Sequence, residues 1–385
     1  MAYDLPDLSR PLDLPFDTVI DTRSPDEFAE DRLPGAINLP VLDNDERARV
    51  GTIYKQESPF RARKVGAALV AMNAARHIQG PLADKDGGWR PLVYCWRGGQ
   101  RSNSFASILS QIGWRAEVLA GGYREYRRAV VAQLYDAVLP HRFVLIDGDT
   151  GTAKTELLHL VAARGGQVLD LEGLANHRGS VLGQRPGGQP SQKMLESRLV
   201  AALARLDPAR PVLVEAESSK VGDLLLPPAV WNAMRAAPRL RMSAPVDERA
   251  RYLARTYADI SQDGAVLKDI LSKLVRLQGR ERVARWQGMV DERQFEDLAR
   301  DLITQHYDSR YARARGTSGD PAGEYRIALD ADSLNRTADR LVVHMDAVLP
   351  PVGPLAASAV PVGQVAELGD EIPVDSVLPL PDPSA

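Results

Sequence analysis

Cys95 stands at the end of a short apolar run, Val93-Tyr94, and is followed by Trp96-Arg97-Gly98-Gly99-Gln100-Arg101-Ser102. A lone cysteine can be an inert buried thiol, but the residues after this one argue for chemistry. Gly98 and Gly99 let successive backbone N–H groups converge on one point and form an anion nest. A helix starting near Ser102 adds the partial positive charge of its N-terminus, and Arg97 and Arg101 add whole charges. A thiol in that setting is expected to react as its thiolate.

A second loop, Gly148-Asp149-Thr150-Gly151-Thr152-Ala153-Lys154-Thr155, follows an apolar strand and opens a helix. That is the context in which such a loop cradles phosphates. Its N–H groups are expected to wrap a diphosphate, Lys154 to neutralise it, and the Thr155 hydroxyl to hold Mg²⁺. Ala153 stands where the Walker A pattern has glycine; its methyl group would crowd the phosphate but removes no donor. Downstream, Val212-Leu213-Val214 ends in Glu215 and Glu217, and Gln167–Leu171 ends beside Asp170 and Glu172. All four carboxylates are candidates to support the phosphate site. No tightly bound cofactor is expected.

These loops need a scaffold that presents strand ends. Strand signals recur at Thr18–Asp21, Ala36–Leu39, Pro91–Tyr94 and Glu117–Leu119, with helix signals at Pro25–Glu30, after Ser102 and over Tyr123–Tyr135. A second series has strands at Phe143–Ile146, Gln167–Leu171, Val212–Glu215 and Arg239–Ser243, with a helix at Thr155–Arg164. Repeated strand–helix units argue an α/β fold with mainly parallel sheets. From Asp247 to about Met345 the periodicity is helical. The expected organisation is a cysteine domain over 1–139, a phosphate-binding domain over 140–260, a helical extension over 261–348 and a tail over 349–385. The tail holds eight prolines, five acidic residues and no Lys or Arg, so it is read as disordered.

Composition narrows the partners. Net charge is −3, so any nucleic-acid surface must be a local patch. Only eight of the 48 basic residues are Lys. Arg suits bidentate phosphate binding, although a GC-rich genome would give the same bias. No apolar run reaches the roughly 20 residues of a membrane span, and the first residues lack the pattern of a signal peptide. One cysteine excludes an intrachain disulfide and an all-cysteine zinc site. A soluble, cytoplasmic protein without a membrane partner is expected.

The segment from Asp21-Thr22-Arg23-Ser24-Pro25-Asp26-Glu27-Phe28 to Leu33-Pro34-Gly35-Ala36-Ile37-Asn38-Leu39-Pro40, with the cysteine loop, resembles a rhodanese domain. That resemblance implies that Cys95 carries a chalcogen atom. Cys95 and Arg101 lie six positions apart, one more than in sulfur-carrying rhodaneses and as in phosphatases of the same fold. The wider cradle suits a tetrahedral phosphate-like ligand or a larger chalcogen. Four further stretches extend the likeness: Asn44–Gln56, Asp170–Ser180, Gln189-Pro190-Ser191-Gln192 and Tyr307-Asp308-Ser309-Arg310-Tyr311. In this order, together with both loops, they resemble the tRNA 2-selenouridine synthase family over roughly 15–315.

The resemblance implies a transferase with a rhodanese-like domain joined to a P-loop NTPase-like domain. Its implied substrate is the wobble 2-thiouridine of tRNAs for Lys, Glu and Gln. The sulfur is first alkylated with geranyl diphosphate, and S-geranyl is then replaced by selenium from selenophosphate. The diphosphate is assigned to Gly148–Thr155 and selenium delivery to Cys95; the enzyme that makes selenophosphate is a further candidate partner. Candidate tRNA contacts are Arg61-Ala62-Arg63-Lys64, His177, Arg178, Arg185, Lys193, Arg276, Arg280, Arg282 and Arg285. Each could equally be a solvated helix face. Trp286, Tyr307 and Tyr311 could stack on a base or belong to the core. The competing readings are a rhodanese-type sulfurtransferase or phosphatase fused to a kinase-like domain, and a nucleotide-regulated binding module.

Overall fold

A computed structural model describes residues 2–180, 182–258, 263–308 and 320–349. Two five-stranded sheets organise them. The first has the order β1-β5-β4-β2-β3, with β1 Ala2–Tyr3, β2 Thr18–Asp21, β3 Ile37–Asn38, β4 Pro91–Tyr94 and β5 Glu117–Leu119. Every pairing in it is parallel. β4 is central, and all four of its residues are buried. A parallel sheet is covered on both faces, which is why β4 reads as an unbroken apolar run rather than an alternation.

The second sheet contains β6 Arg142–Gly148, β7 Gln167–Leu169, β8 Pro211–Glu215, β11 Arg239–Ser243 and β12 Gly323–Arg326. Its order is β12-β11-β6-β8-β7, again wholly parallel. A short hairpin of β9 Lys220–Val221 and β10 Leu224–Leu225 lies between β8 and β11. β6 sits between β8 and β11, so the chain leaves its end where the strand order reverses. In open α/β sheets that is where ligands bind.

The helical character expected after Asp247 is present, but it is not a simple extension. Helices Val246–Thr256, Gly264–Ser272, Val275–Gln278, Arg280–Asp291 and Phe295–Leu302 lie between β11 and β12. The chain then returns to the sheet through β12, which the helical reading omitted, and the helix Ala331–Val348 packs on the helix Lys154–Ala163. β12 hides from sequence reading because it is four residues long at a sheet edge, with Tyr325 alone buried. The tail beyond Leu349 lies outside the described residues, so its expected disorder is not addressed by the structure. No described helix is long and apolar enough to cross a membrane.

One apolar cluster runs through both sheet domains. It contains Leu92, Tyr94 and Leu119 of the first sheet with Leu145, Val212 and Val214 of the second. The opposite face of the first sheet packs around Ile20, Val93 and Phe105. That of the second packs around Val144, Leu157 and Leu341. The inserted helices close on their own cluster around Trp286.

Candidate functional site: a cysteine loop and a phosphate loop

β4 delivers Cys95 to the mouth of the first sheet, where the thiol is 3% exposed. The Gly99 N–H donates to Sγ at 3.3 Å, and Ser102 Oγ lies 3.2 Å from it. The helix Gln100–Ile112 begins there with Gly99 as its N-cap. The loop is pressed against Gly122: a Cβ at that position would lie 2.4 Å from Cys95 O and 2.5 Å from Gly98 N. Only glycine permits this approach, at a φ of 59°.

The two arginines of the loop are not equivalent. Arg101 Nη1 donates to Glu27 Oε2 at 3.0 Å, and Arg47 Nε pairs with the same oxygen at 2.8 Å. Burial opposes the Glu27 charge, but Arg101, then the Ser24 N–H and then Arg47 hold its carboxyl below the usual range. Arg101 is therefore steered toward Glu27, while Arg97 is exposed. Glu27 and Arg47 were not singled out by sequence reading; Glu27 lies 74 positions from Arg101, so no local spacing could reveal the pair. Upstream, Arg23 is 1% exposed. It is spent on Asp21 at 2.6 Å and on the Tyr123 ring at 3.8 Å, a structural role.

The second loop leaves the end of β6. Lys154 Nζ donates to Gly148 O at 2.8 Å and Asp149 O at 3.3 Å, folding back over the loop. Ala153 caps the helix Lys154–Ala163 in a left-handed conformation, φ 57° and ψ 30°. It is buried in the same cluster as Val144 and Leu157. A cleft of about 330 Å³ opens here, bounded by Thr150–Thr155, Glu172, Arg178, Arg185 and Glu217. Gly148 remains at the base of the loop as the Lys154 acceptor.

Thr155 Oγ1 donates to Glu215 Oε1 at 2.8 Å and lies 3.2 Å from Glu172 Oε2. Burial and then mutual repulsion push the neighbouring carboxyls upward: Glu172 to about 7 beside Glu217, Glu215 to about 8 beside Glu172. Glu217, half-buried next to Glu215, is raised by desolvation and then by the Glu215 charge to about 7. Oxygen donors of this type suit Mg²⁺, which is commonly held by one or two carboxylates with phosphates and water. Thr155, Glu172 and Glu215 would be its protein-side holders. Among the described residues no group of three or more His, Cys, Asp or Glu forms a metal cage. Asp170 does not line the cleft; it caps the turn Leu171–Leu174 through the Gly173 N–H at 2.6 Å and meets His159 at 3.0 Å.

The candidate tRNA residues separate in the same way. Arg178 and Arg185 line the cleft, Arg178 with its guanidinium 4.9 Å from the Tyr257 ring. His177 does not face solvent: it is 8% exposed, accepts the Gly179 N–H at 3.1 Å, and burial lowers its pKa. Arg61, Arg63 and Lys64 lie exposed on the helix Pro59–Gln79, and Arg276 and Arg280 are exposed as well. Arg282 donates to Gln278 at 2.6 Å, Arg285 pairs with Asp301, and Lys193 pairs with Glu30 at 2.6 Å. Trp286 is fully buried, so it is core and no stacking platform. Tyr307 is buried too, and Tyr311 lies outside the described residues.

Sequence reading also missed Arg249. Its Nε donates to Thr150 O at 2.9 Å and its two Nη atoms clasp Asp308 at 3.1 and 2.6 Å. It ties the phosphate loop to the inserted helices.

Residues 4–129 match the model of the rhodanese-like domain, and residues 141–322 that of the tRNA 2-selenouridine synthase AAA domain. A tRNA 2-selenouridine synthase of Aeromonas salmonicida is 38% identical over 243 residues, covering 62% of this chain and 64% of that one. The chain thus spans just under two thirds of that relative. One from Bordetella bronchiseptica is 33% identical over 331 residues, covering 77% and 88% of the two chains. One from Hahella chejuensis is 33% identical over 360 residues, covering 86% of this chain and 88% of its own. With both domains matched in order and that likeness running through most of two chains, the protein belongs to the tRNA 2-selenouridine synthase family.

Proposed function

We propose that this protein is a transferase that converts the wobble 2-thiouridine of tRNAs for Lys, Glu and Gln into 2-selenouridine. The observation that carries the reading is the pairing, in one chain, of a phosphate cleft with a separate cysteine–anion loop. In the first step the thiocarbonyl sulfur attacks the first carbon of geranyl diphosphate; the S–C bond forms as the C–O bond breaks and diphosphate leaves. Lys154, the loop N–H groups and the cleft arginines Arg178 and Arg185 would stabilise that leaving charge. Mg²⁺ held at Thr155 would neutralise it further. In the second step selenium from selenophosphate adds at the ring carbon, and geranyl thiol departs. Cys95 is proposed to deliver that selenium. Its sulfur takes the phosphoryl group of selenophosphate as the P–Se bond breaks, and hydroselenide is freed to add at the ring carbon. Water then cleaves the S–P bond to give phosphate.

The test is mass spectrometry of nucleosides from thiolated tRNA incubated with the protein and geranyl diphosphate, with and without selenophosphate. S-geranyl nucleoside is expected without selenophosphate and selenouridine with it. Sulfur transfer from thiosulfate or phosphomonoester turnover, with tRNA left unchanged, would instead support the sulfurtransferase or phosphatase reading.

A further inference from the structure

The phosphate cleft does not end at its polar wall. Thr150, Leu253 and Tyr257 line it on one side, and the same three residues line an adjoining cavity on the other. The rest of that second cavity is hydrocarbon and aromatic, with Leu267, Phe295, Leu298 and Leu302 among its walls. No Asp, Glu, Lys or Arg contributes to it. All four of these residues come from the helices inserted between β11 and β12. The insertion is held on the phosphate loop at close range: a Cβ on Gly151 would lie 3.1 Å from Leu253 Cγ and 3.2 Å from Arg249 Cβ.

We infer that this cavity receives the hydrocarbon chain of a prenyl diphosphate whose head lies in the phosphate loop, and that its walls set the chain length accepted. The inference rests on the proposed use of that loop for geranyl diphosphate. A ligand with a charged head and an apolar chain can occupy cleft and cavity together, passing from one to the other beside Thr150. A nucleoside fits the cavity poorly. A base carries several donors and acceptors on its edge, and burying them without partners is unfavourable. The polar groups here are few, and the Tyr257 hydroxyl already lies 3.3 Å from Ser180 Oγ.

Ala254 is a small, half-buried residue on the cavity wall, so Ala254→Phe should fill the space from a position that tolerates bulk. Steady-state transfer to thiolated tRNA is measured with dimethylallyl, geranyl and farnesyl diphosphates, and inorganic pyrophosphate serves as a competitive probe of the head site. In the unsubstituted protein KM for the five-carbon donor should exceed that for geranyl diphosphate at least ~100-fold, since full burial of the five further carbons at about fourfold each would give roughly 1000-fold. Ala254→Phe should raise KM for geranyl diphosphate at least ~10-fold while changing inhibition by pyrophosphate less than about twofold, because only the chain is displaced. Leu298→Ala, which deepens the cavity, should improve use of the farnesyl donor relative to geranyl. Equal KM values for five- and ten-carbon donors overturn the inference. So does unchanged geranyl KM in a variant that still binds pyrophosphate, or competition by ATP that Ala254→Phe abolishes. If the unsubstituted protein transfers no prenyl group from any donor, the proposed function itself fails, and the inference falls with it.

Discussion

Cys95, Lys154 and Thr155 are legible in sequence because their chemistry is local: a strand end, a glycine-bearing loop and a helix start within ten positions. What holds them is not local. Arg101 is captured by Glu27, Thr155 by Glu215, and Thr150 by Arg249, all between residues far apart in the chain. Cys95→Ser should spare geranylation and abolish selenium insertion, because the hydroxyl fits beside Gly99 N and Ser102 but is a far weaker nucleophile toward the phosphoryl group that must leave selenium. Nucleoside analysis with both co-substrates should show S-geranyl product accumulating; normal selenouridine levels would remove Cys95 from selenium delivery. Lys154→Ala should lower geranylation at least ~100-fold through loss of the charge facing the diphosphate, while tRNA supplied already geranylated is still selenated. The buried acids make a stability prediction for the metal-free protein. Glu215 at about 8 and Glu172 and Glu217 at about 7 keep protons that the unfolded chain releases near the ordinary 4.5. Between pH ~5 and ~8 the native state thus binds more protons, and stability falls as pH rises. Glu215→Gln should flatten the decline of Tm between pH 5.5 and 8; an unchanged slope would show that these carboxyls are not buried in neutral form.

At the scale of elements, the strands that carry the two loops were readable because parallel strands covered on both faces are short apolar runs. The helices Asn44–Gln56 and Pro59–Gln79 were not, since the first has few apolar residues and those of the second spread around the helix instead of marking one face. Their start signals were present all the same: Asp43 with Glu46 forms a capping box, and Ser58 caps a helix with Pro59 in its first turn. Ala153 was expected to push its methyl group at the phosphate; the residue lines the cleft and is also buried in the cluster of Val144 and Leu157. Its left-handed backbone costs an alanine about 1 kcal/mol. Glycine would remove that strain but gains unfolded-state entropy of about 0.4–1 kcal/mol and loses the buried methyl. Ala153→Gly should therefore shift stability by less than about 1 kcal/mol, and pyrophosphate affinity by less than about twofold because every N–H donor remains. Titration calorimetry checks this. A tenfold tightening would mean that the methyl group does meet the phosphate.

Over the whole molecule, the net charge of −3 means that the proposed binding of tRNA would need local patches, for which Arg61, Arg63 and Lys64, exposed on the helix Pro59–Gln79, are candidates. Arg63 shares a groove wall with Arg101 beside the cysteine loop. Replacing Arg63 and Lys64 by Ala should weaken tRNA binding and reduce the salt slope by about 1–2, as released counterions require; a parallel salt line would place the tRNA elsewhere. The two sheet domains are expected to unfold as one unit. Their shared cluster joins Leu92 and Tyr94 to Leu145 and Val214, and polar contacts bridge the same boundary. Glu196, 1% exposed, pairs with Arg127 and accepts the Tyr135 hydroxyl at 2.7 Å. Removing Arg127 strands that carboxylate, and breaking a buried pair from one side typically costs about 3–5 kcal/mol. Tyr135 and Gln192 still bond Glu196, so Arg127→Met should fall at the lower end, about 3 kcal/mol. Arg127→Met with Glu196→Met should cost less than the single change, since the Glu196 charge is gone, while Asp31, 3.9 Å from Arg127 and held by the Tyr123 hydroxyl, loses the same partner in both. Scanning calorimetry should show one transition in the unsubstituted protein and in both variants, displaced downward and least in the double one. A separate early transition in the unsubstituted protein would mean that the cluster does not couple the domains, and equal losses in the two variants would mean that Glu196 is solvated when its partner is gone.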